Sequence, residues 1–464
     1  MAAAQEPLVF TVTRRAPELI PPAKPTPFEY KLLSDIDDQG SLRFRIPVIY
    51  FYRKRNDFIN ADKMDPVKVI REAISKTLVF YYPLAGRVRE GAGRKLGVEC
   101  TGEGVLFIEA DAEVTIEELG GDAIQPPFPC FEELLFDVPG YSGVLDCPIL
   151  LFQVTRLKCG GFIIAVRLNH TVSDAGGLAQ FVNAVGEIAR GADSPSVPPV
   201  WQREILNARD PPRVTCTHHE YDDVPDRKGT LISVGNMVHR SFFFGPAEIL
   251  VLRLLVPSHL IKCSTSELLT ACLWRCRTRA LQLDPEEEVR LLYNINARGR
   301  FNPPLPKGYY GNAFAFPAAV TTAGKLCQNP IGYALELVKK IKKDFSEEYM
   351  RSVADLMVLK GRPPSTAVRI FHVSDVTRSG LGDADFGWGK PVYGGPARGG
   401  VGNRPVAASF YVSCKNKKGE NGIAVTVSLQ ASVMEKFAAE LDGMLKNNDQ
   451  LIINNTSIPT KSAL

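Results

Sequence analysis

At 464 residues the chain is too long for one ordinary core, and two units of roughly 200 residues are the natural division. A net charge of +4, with lysines and arginines scattered, excludes a nucleic-acid footprint. No run approaches the ~20 unbroken apolar residues of a membrane span, and the opening MAAAQEPLVFTVTRR lacks the basic and apolar regions of a secretory signal.

Residues 8–13 read as a strand, and 66–80 as an amphipathic helix with Val67, Ile70, Ala73, Ile74 and Leu78 on one face. Residues 98–110 read as strands broken at the 102–104 turn. The clearest hairpin joins 150–157 to 162–168 through a turn at 158–161. Ile163, Ile164, Ala165 and Val166 form an unbroken apolar run, as in a strand buried on both faces. That strand ends at Asn169-His170, and a helix follows over 174–190. Asp174 falls near the helix start, where free N–H groups favour a carboxylate.

From 191 to 228 the composition changes: six prolines and few periodic apolar residues mark a linker. It separates an N-terminal unit, 1–190, from a C-terminal unit, 229–464. The second unit repeats the α/β alternation. Strands are expected at 238–244, 289–295, 368–373, 407–413 and 423–429, and helices at 264–280, 331–345 and 432–445. Ser264 or Thr265 with Glu267 resembles a capping box. Lys415, Lys417 and Lys418 read as a solvated hairpin tip.

Ten cysteines without a secretory signal are expected as reduced thiols in an intracellular compartment. Cys272 and Cys276 stand four apart, with no second pair to complete a zinc set. His218 and His219, beside Glu220, Asp222 and Asp223, read as a surface loop. No metal and no structural disulfide are expected.

His170 is the first candidate for chemistry. It ends a buried strand, and the small residues Ala175, Gly176 and Gly177 behind it let a backbone or ligand approach closely. A neutral imidazole there can accept a proton near pH 7; the plain alternative is a satisfied core histidine. Ser173 lies between His170 and Asp174, but three partners in one tight turn cannot adopt the relay geometry of a triad. No GxSxG, GxxxxGK[ST] or GxGxxG pattern stands between a strand and a helix, which argues against hydrolase, phosphoryl-transfer and dinucleotide chemistry. The second candidate is DFGWGKP at 385–391, a loop that its glycines permit, with Asp385 as anchor and Trp388 as a buried indole. Its DFG triplet has no glycine-rich or HRD loop to make it a kinase signature.

HTVSDAGG at 170–177 and DFGWG at 385–389 together resemble the HxxxD and DFGWG signatures of the plant BAHD acyltransferase family, in the family's order. YPLAGR at 82–87, NARGR at 296–300, YYGNA at 309–313 and SDVTR at 374–378 extend the likeness over nearly the whole chain. The stretch LLFQVTRLKCGGFIIAVRLNHTVSDAGG is similar to the alcohol acyltransferase branch. The resemblance implies two similar-sized α/β domains, each a mixed β-sheet flanked by helices as in chloramphenicol acetyltransferase, with an active-site channel at their interface.

It further implies His170 as general base, Asp174 as a structural aspartate paired with Arg298, and Asp385, with Gly387 and Gly389, as a loop outside the channel. Val376 departs from the Trp many members carry, which puts part of the CoA channel lining in doubt. A thioester is an activated donor, so His170 can take an alcohol proton with no covalent enzyme intermediate. The oxyanion needs a donor, for which the Trp388 indole N–H or a nearby backbone N–H is the candidate. Ser264, Thr265, Ser374, Thr377 and Arg378 are the expected CoA contacts.

Acyl-CoA is then a co-substrate, with no cofactor and no metal. The partners are an acyl-CoA donor and a small alcohol, specifically benzoyl-CoA and benzyl alcohol, acted on by a monomer. An amine acceptor or a catalytically silent binding homologue are the alternatives. The C-terminal Ser462, Ala463 and Leu464 depart from a Ser-Lys-Leu address at the middle position, which leaves peroxisomal and cytoplasmic locations as alternatives.

Overall fold

A computed structural model describes residues 8–54, 64–141, 143–225, 237–398 and 408–446. The first half runs β1 (Val12–Arg14), β2 (Glu18–Ile20), β3 (Tyr30–Leu32), β4 (Arg45–Tyr52), α1 (Pro66–Thr77), β5 (Arg87–Glu90), β6 (Leu96–Glu99) and β7 (Val105–Ala112). It continues with α2 (Phe131–Leu134), β8 (Leu150–Leu157), β9 (Phe162–Asn169) and α3 (Ala175–Ala189). The second half opens with β10 (Met237–Phe244), α4 (Pro246–Leu254), α5 (Thr265–Leu281), β11 (Glu288–Tyr293), β12 (Ile295–Asn296), β13 (Phe314–Ala315) and β14 (Ala318–Thr322). It closes with α6 (Ala323–Gln328), α7 (Ile331–Asp344), α8 (Glu347–Leu359), β15 (Ile370–Asp375), β16 (Tyr393–Pro396), β17 (Ala408–Lys415), β18 (Asn421–Gln430) and α9 (Ala431–Lys446).

Two mixed sheets carry the fold. The first has the order β1-β7-β8-β9-β4-β16, with β2 also on β7; the second has the order β10-β18-β17-β15-β11-β14. The expected hairpin forms with Leu150 opposite Leu168, and β9 is buried along its whole length between β8 and β4. α1 and α3 pack together beside the first sheet, while α5, α7 and α9 cover the second. The boundaries follow local chemistry. Asp65 caps α1 by accepting from the Val67 N–H at 3.1 Å, and α1 stops at Thr77, before the turn that carries Pro83. The Ser264–Glu267 capping box starts α5, with bonds of 3.2 and 2.9 Å.

The first strand begins four residues later than expected, at Val12, where pairing with β7 supplies its partners. β2, β3, β4, β5, β13, β14, β16, α2, α4, α6 and α8 have no counterpart in the sequence-based assignment. β4 carries Pro47 in an otherwise apolar run, and β16 is only four residues long. Position 407, the start of one expected strand, and the tail at 462–464 lie outside the described residues.

The division at 191–228 needs correction in two respects. β16 comes from the second half yet pairs with β4 in the first sheet, and Ile36 and Leu42 from the first half belong to the second core. Parts of the described stretch 191–225 are anchored in the fold: Arg203 is buried and pairs with Asp37, and Leu206, Glu220 and Tyr221 are buried too. Proline removes periodicity from a segment without preventing its burial. His218 is likewise buried and not in a surface loop. Its Nδ1 lies 3.0 Å from Glu220 Oε1 and its Nε2 2.8 Å from Ser352 Oγ. That Ser-His-Glu row is structural, because the Ser352 hydroxyl also accepts the Thr215 and Cys216 N–H groups and is fully buried.

Candidate active site

A cavity of about 620 Å³ opens between the two sheets. From the first sheet it receives Ile46 and Val48 of β4, Leu168 of β9, and His170 just beyond the end of β9. From the second it receives His372 and Ser374 of β15 and Phe410 of β17. The pleat explains this set. Ile46 stands opposite Leu168, and Ser374 opposite Phe410, so each sheet turns one row of alternate residues toward the cavity.

His170 is held from behind. Its Nδ1 lies 3.1 Å from Asn312 Oδ1. The Asn312 amide nitrogen donates to Asp37 Oδ1 and to the His170 carbonyl, both at 2.8 Å, which fixes Oδ1 as the acceptor. The imidazole therefore carries its proton on Nδ1 and keeps the lone pair on Nε2. Asp37 is anchored in turn by Arg203, at 3.1 Å to each carboxylate oxygen. The row Arg203–Asp37–Asn312–His170 ends on a neutral amide, so no full negative charge touches the ring. Burial pushes the His170 pKa below its ordinary value, and Asp174 and Asn312 only partly offset that.

Asp174 does not touch the imidazole. It caps α3 through the Gly177 N–H at 2.9 Å and accepts both Arg298 nitrogens at 2.8 and 2.9 Å and the Ala313 N–H at 3.0 Å. Burial works to raise its pKa, but Arg298 and these hydrogen bonds hold the carboxylate below its usual range. Gly177 is what lets the two segments meet, since a Cβ there would lie 2.1 Å from the Tyr310 carbonyl oxygen. The approach brings the 309–313 strip, and Asn312 with it, against His170.

The DFGWG loop lies elsewhere. Asp385 Oδ1 accepts the Gly387 and Gly389 N–H groups at 2.8 and 2.9 Å, and both glycines have positive φ, +106° and +84°. Arg190, at the far end of α3, donates to the Asp385 carbonyl. The Trp388 ring packs edge-on against Phe162, with centroids 5.0 Å apart. Phe162 begins β9 and His170 follows its end, so about 26 Å of strand separates them at ~3.3 Å per residue. Trp388 cannot be the oxyanion donor. Sequence spacing carried no measure of that distance.

The expected CoA contacts divide. Ser374 and Arg378 line the cavity, Arg378 at an exposed position. Thr377 instead closes a turn, its N–H and hydroxyl both bonded to Asp375 Oδ1 at 3.0 and 2.6 Å. Ser264 and Thr265 are spent at the start of α5, where Ser264 forms the capping box and Thr265 accepts from Arg253 at 3.2 Å; neither lines the cavity. Asn312 and Asp37 were not singled out from sequence. The YYGNA match at 309–313 was the one available signal for Asn312; nothing local marks Asp37.

A buried, singly oriented imidazole with its Nε2 lone pair at a cavity between two sheets has the chemistry to accept a hydroxyl proton. Among the described residues no group of three or more His, Cys, Asp or Glu is placed to hold a metal ion. The sequence model of the family described as Transferase family matches residues 10–444. The chain belongs to that family, the BAHD acyltransferases, and is an acyltransferase. It is 68% identical to the benzyl alcohol O-benzoyltransferase of Nicotiana tabacum over 97% of both chains. It is also 68% identical to the benzyl alcohol O-benzoyltransferase of Petunia hybrida over 96% of both. Among solved structures vinorine synthase matches with a TM-score of 0.68, over 94% of this chain and 98% of that one, at 23% identity. That likeness speaks to the fold alone.

Proposed function

We propose that this enzyme transfers the benzoyl group of benzoyl-CoA to benzyl alcohol, forming benzyl benzoate and free CoA. The observation that carries the reading is the His170 Nε2 lone pair set among aromatic rings. Phe44 lies edge-on to the His170 ring at 5.1 Å, Phe314 lies tilted by 36° at 5.8 Å, and Phe316 stands 6.4 Å from Phe314. Offset and edge-to-face contacts of this kind suit benzyl and benzoyl rings and are worth about 0.5–1.5 kcal/mol each beyond area burial. The two 68% identical relatives support the same donor and acceptor.

In the reaction, the alcohol oxygen attacks the thioester carbonyl carbon while its proton passes to His170 Nε2. The carbonyl π pair moves to oxygen, giving a tetrahedral oxyanion. When the C=O bond reforms, the C–S bond breaks and the thiolate takes the proton back from His170. Both substrates occupy the cavity together, and no acyl-enzyme forms. Arg378 and Lys307, basic residues in the lining, suit the anionic end of the CoA donor.

The test is a panel of benzoyl-CoA and acetyl-CoA against benzyl alcohol and benzylamine, with products identified by mass. Benzyl benzoate as the dominant product is expected. Preferred formation of N-benzylbenzamide would replace the alcohol with an amine acceptor. No CoA release from any pair would leave a binding protein.

A further inference from the structure

At one place in the cavity wall the two halves of the chain meet as two loops. The turn Gly40–Leu42 of the first half lies against the loop that joins α8 to β15 in the second. A Cβ on Gly40 would stand 3.2 Å from the Arg362 carbonyl oxygen, so glycine is what permits so close an approach. Ser41 and Leu42 on one lip and Ser365 on the other line the cavity, while Gly361 and Pro364 are exposed. The seam thus stands between cavity and solvent. A latch closes it. Arg362 Nε donates to Asp38 Oδ2 at 2.6 Å and Nη1 to the Gly93 carbonyl at 3.1 Å, with Asp35 Oδ1 3.7 Å from Nη2. Asp38 is fully buried and also accepts from Arg43 Nη2 at 3.2 Å and from the Leu96 N–H at 3.0 Å. The carboxylate is therefore fixed within the first half, and Arg362 is the part that can let go. Its own φ of +61° is one that side chains other than glycine seldom adopt without such anchoring.

We propose that Arg362 is a positioning residue that sets acceptor specificity: by holding the seam shut it limits the bulk of the acceptor that can be seated at His170. Two observations assign this side to the acceptor and not to the donor. The first-half lip runs within two residues into Phe44, whose carbonyl accepts the His170 N–H at 3.0 Å and whose ring meets the imidazole edge-on at 5.1 Å. His170 takes the acceptor's proton, so the substrate beside this lip is the acceptor. Charge agrees. Arg43, Lys95 and Arg362 at the seam are each paired with a carboxylate of Asp35 or Asp38. Lys307 and Arg378, elsewhere in the lining, have no carboxylate partner among the described residues. A polyanionic donor is drawn to free cations, and the charge-balanced seam is left to a neutral acceptor. The loop is pinned again at Thr366, whose N–H donates to the Glu220 carbonyl at 2.9 Å, so losing the latch loosens 361–365 without releasing β15. The inference rests on the proposed function only in taking the acceptor to be an alcohol.

The test follows CoA release by the wild type, Arg362→Ala, Arg362→Lys and Gly40→Val with benzyl alcohol and the bulkier naphthylmethanol, and with benzylamine and naphthylmethylamine in parallel. The donor is whichever of benzoyl-CoA and acetyl-CoA the wild type turns over. Inert alcohols with active amines would correct the proposed function only, and the size ratio is then read from the amines. Arg362→Ala should raise kcat/KM for the two-ring acceptor relative to the one-ring acceptor at least about fivefold, with the acyl-CoA KM within about twofold of wild type. Gly40→Val forces the lips apart with every charge intact and should shift the ratio in the same direction. Arg362→Lys keeps a cation for Asp38 but not the fork to Gly93, and should fall between wild type and Arg362→Ala. An unchanged size ratio in Arg362→Ala and Gly40→Val overturns the proposal. So does a raised acyl-CoA KM with no change in the ratio, which would put the donor at the seam. Should Arg362→Ala fail to fold, Gly40→Val decides by the same ratio.

Discussion

Replacing Asp174 by alanine tests whether this residue belongs to the scaffold or to the chemistry. Four hydrogen bonds between 2.8 and 3.0 Å converge on its carboxylate, two from Arg298 and two from backbone N–H groups at Gly177 and Ala313. Breaking a buried ion pair by removing one partner costs about 3–5 kcal/mol. The low end applies here, because the Arg298 side chain is 25% exposed and keeps the Gly311 carbonyl at 2.8 Å. Loss of the α3 cap adds about 1 kcal/mol, for a sum of roughly 4 kcal/mol. In a unit of about 200 residues, 1 kcal/mol moves the melting temperature by about 2–4 °C. Thermal unfolding followed by circular dichroism should therefore show a fall of roughly 8–16 °C in Asp174→Ala, with reduced soluble yield. Asp174→Asn keeps an acceptor for Gly177 and should fall about half as far. The pH dependence has a definite sign. Since the folded carboxylate titrates below its ordinary value near 4, its stabilisation is complete above about pH 4 and is lost as pH drops through the folded value. A soluble Asp174→Ala enzyme with unchanged melting temperature and a hundredfold lower kcat would refute the assignment.

His170→Ala should lose at least about a hundredfold in CoA release while melting at the wild-type temperature; near-wild-type turnover would remove it as the base. Because burial lowers the His170 pKa, the acid limb of kcat/KM should lie below the ordinary imidazole value of about 6.5. Trp388→Phe should stay within a few-fold of wild type in kcat, and a large loss without destabilisation would return the indole to the site. His372 is held neutral down to about pH 4 in the fold, so stability is full above about pH 6.5 and falls between those values. His372→Asn should flatten that slope by about 3 kcal/mol in denaturant titrations at pH 7 and pH 4.

What could be read without coordinates was local. The β8–β9 hairpin, the His170 position at the end of a doubly buried strand, the Asp174 cap and the Ser264–Glu267 box are all set by residues within a few positions of one another. Periodicity, turn chemistry and capping act over that range, and these elements lie where the sequence puts them to within a few residues. Composition also named the 191–228 segment as different, though lack of periodicity hid the buried anchors Arg203, Leu206 and Tyr221 within it.

Tertiary structure alone decided which distant groups share a site. Asn312 reaches His170 across 142 positions and Asp37 across 275, because Gly177 lets α3 meet the 309–313 strip and the two sheets face each other over the cavity. The same geometry sets Trp388 a full strand length from His170, although DFGWG and HxxxD look like partners along the chain. Such pairings follow from how sheets align face to face. No short-range pattern encodes that alignment, so His170 could be singled out from sequence while Asn312 and Asp37, which orient its ring, could not.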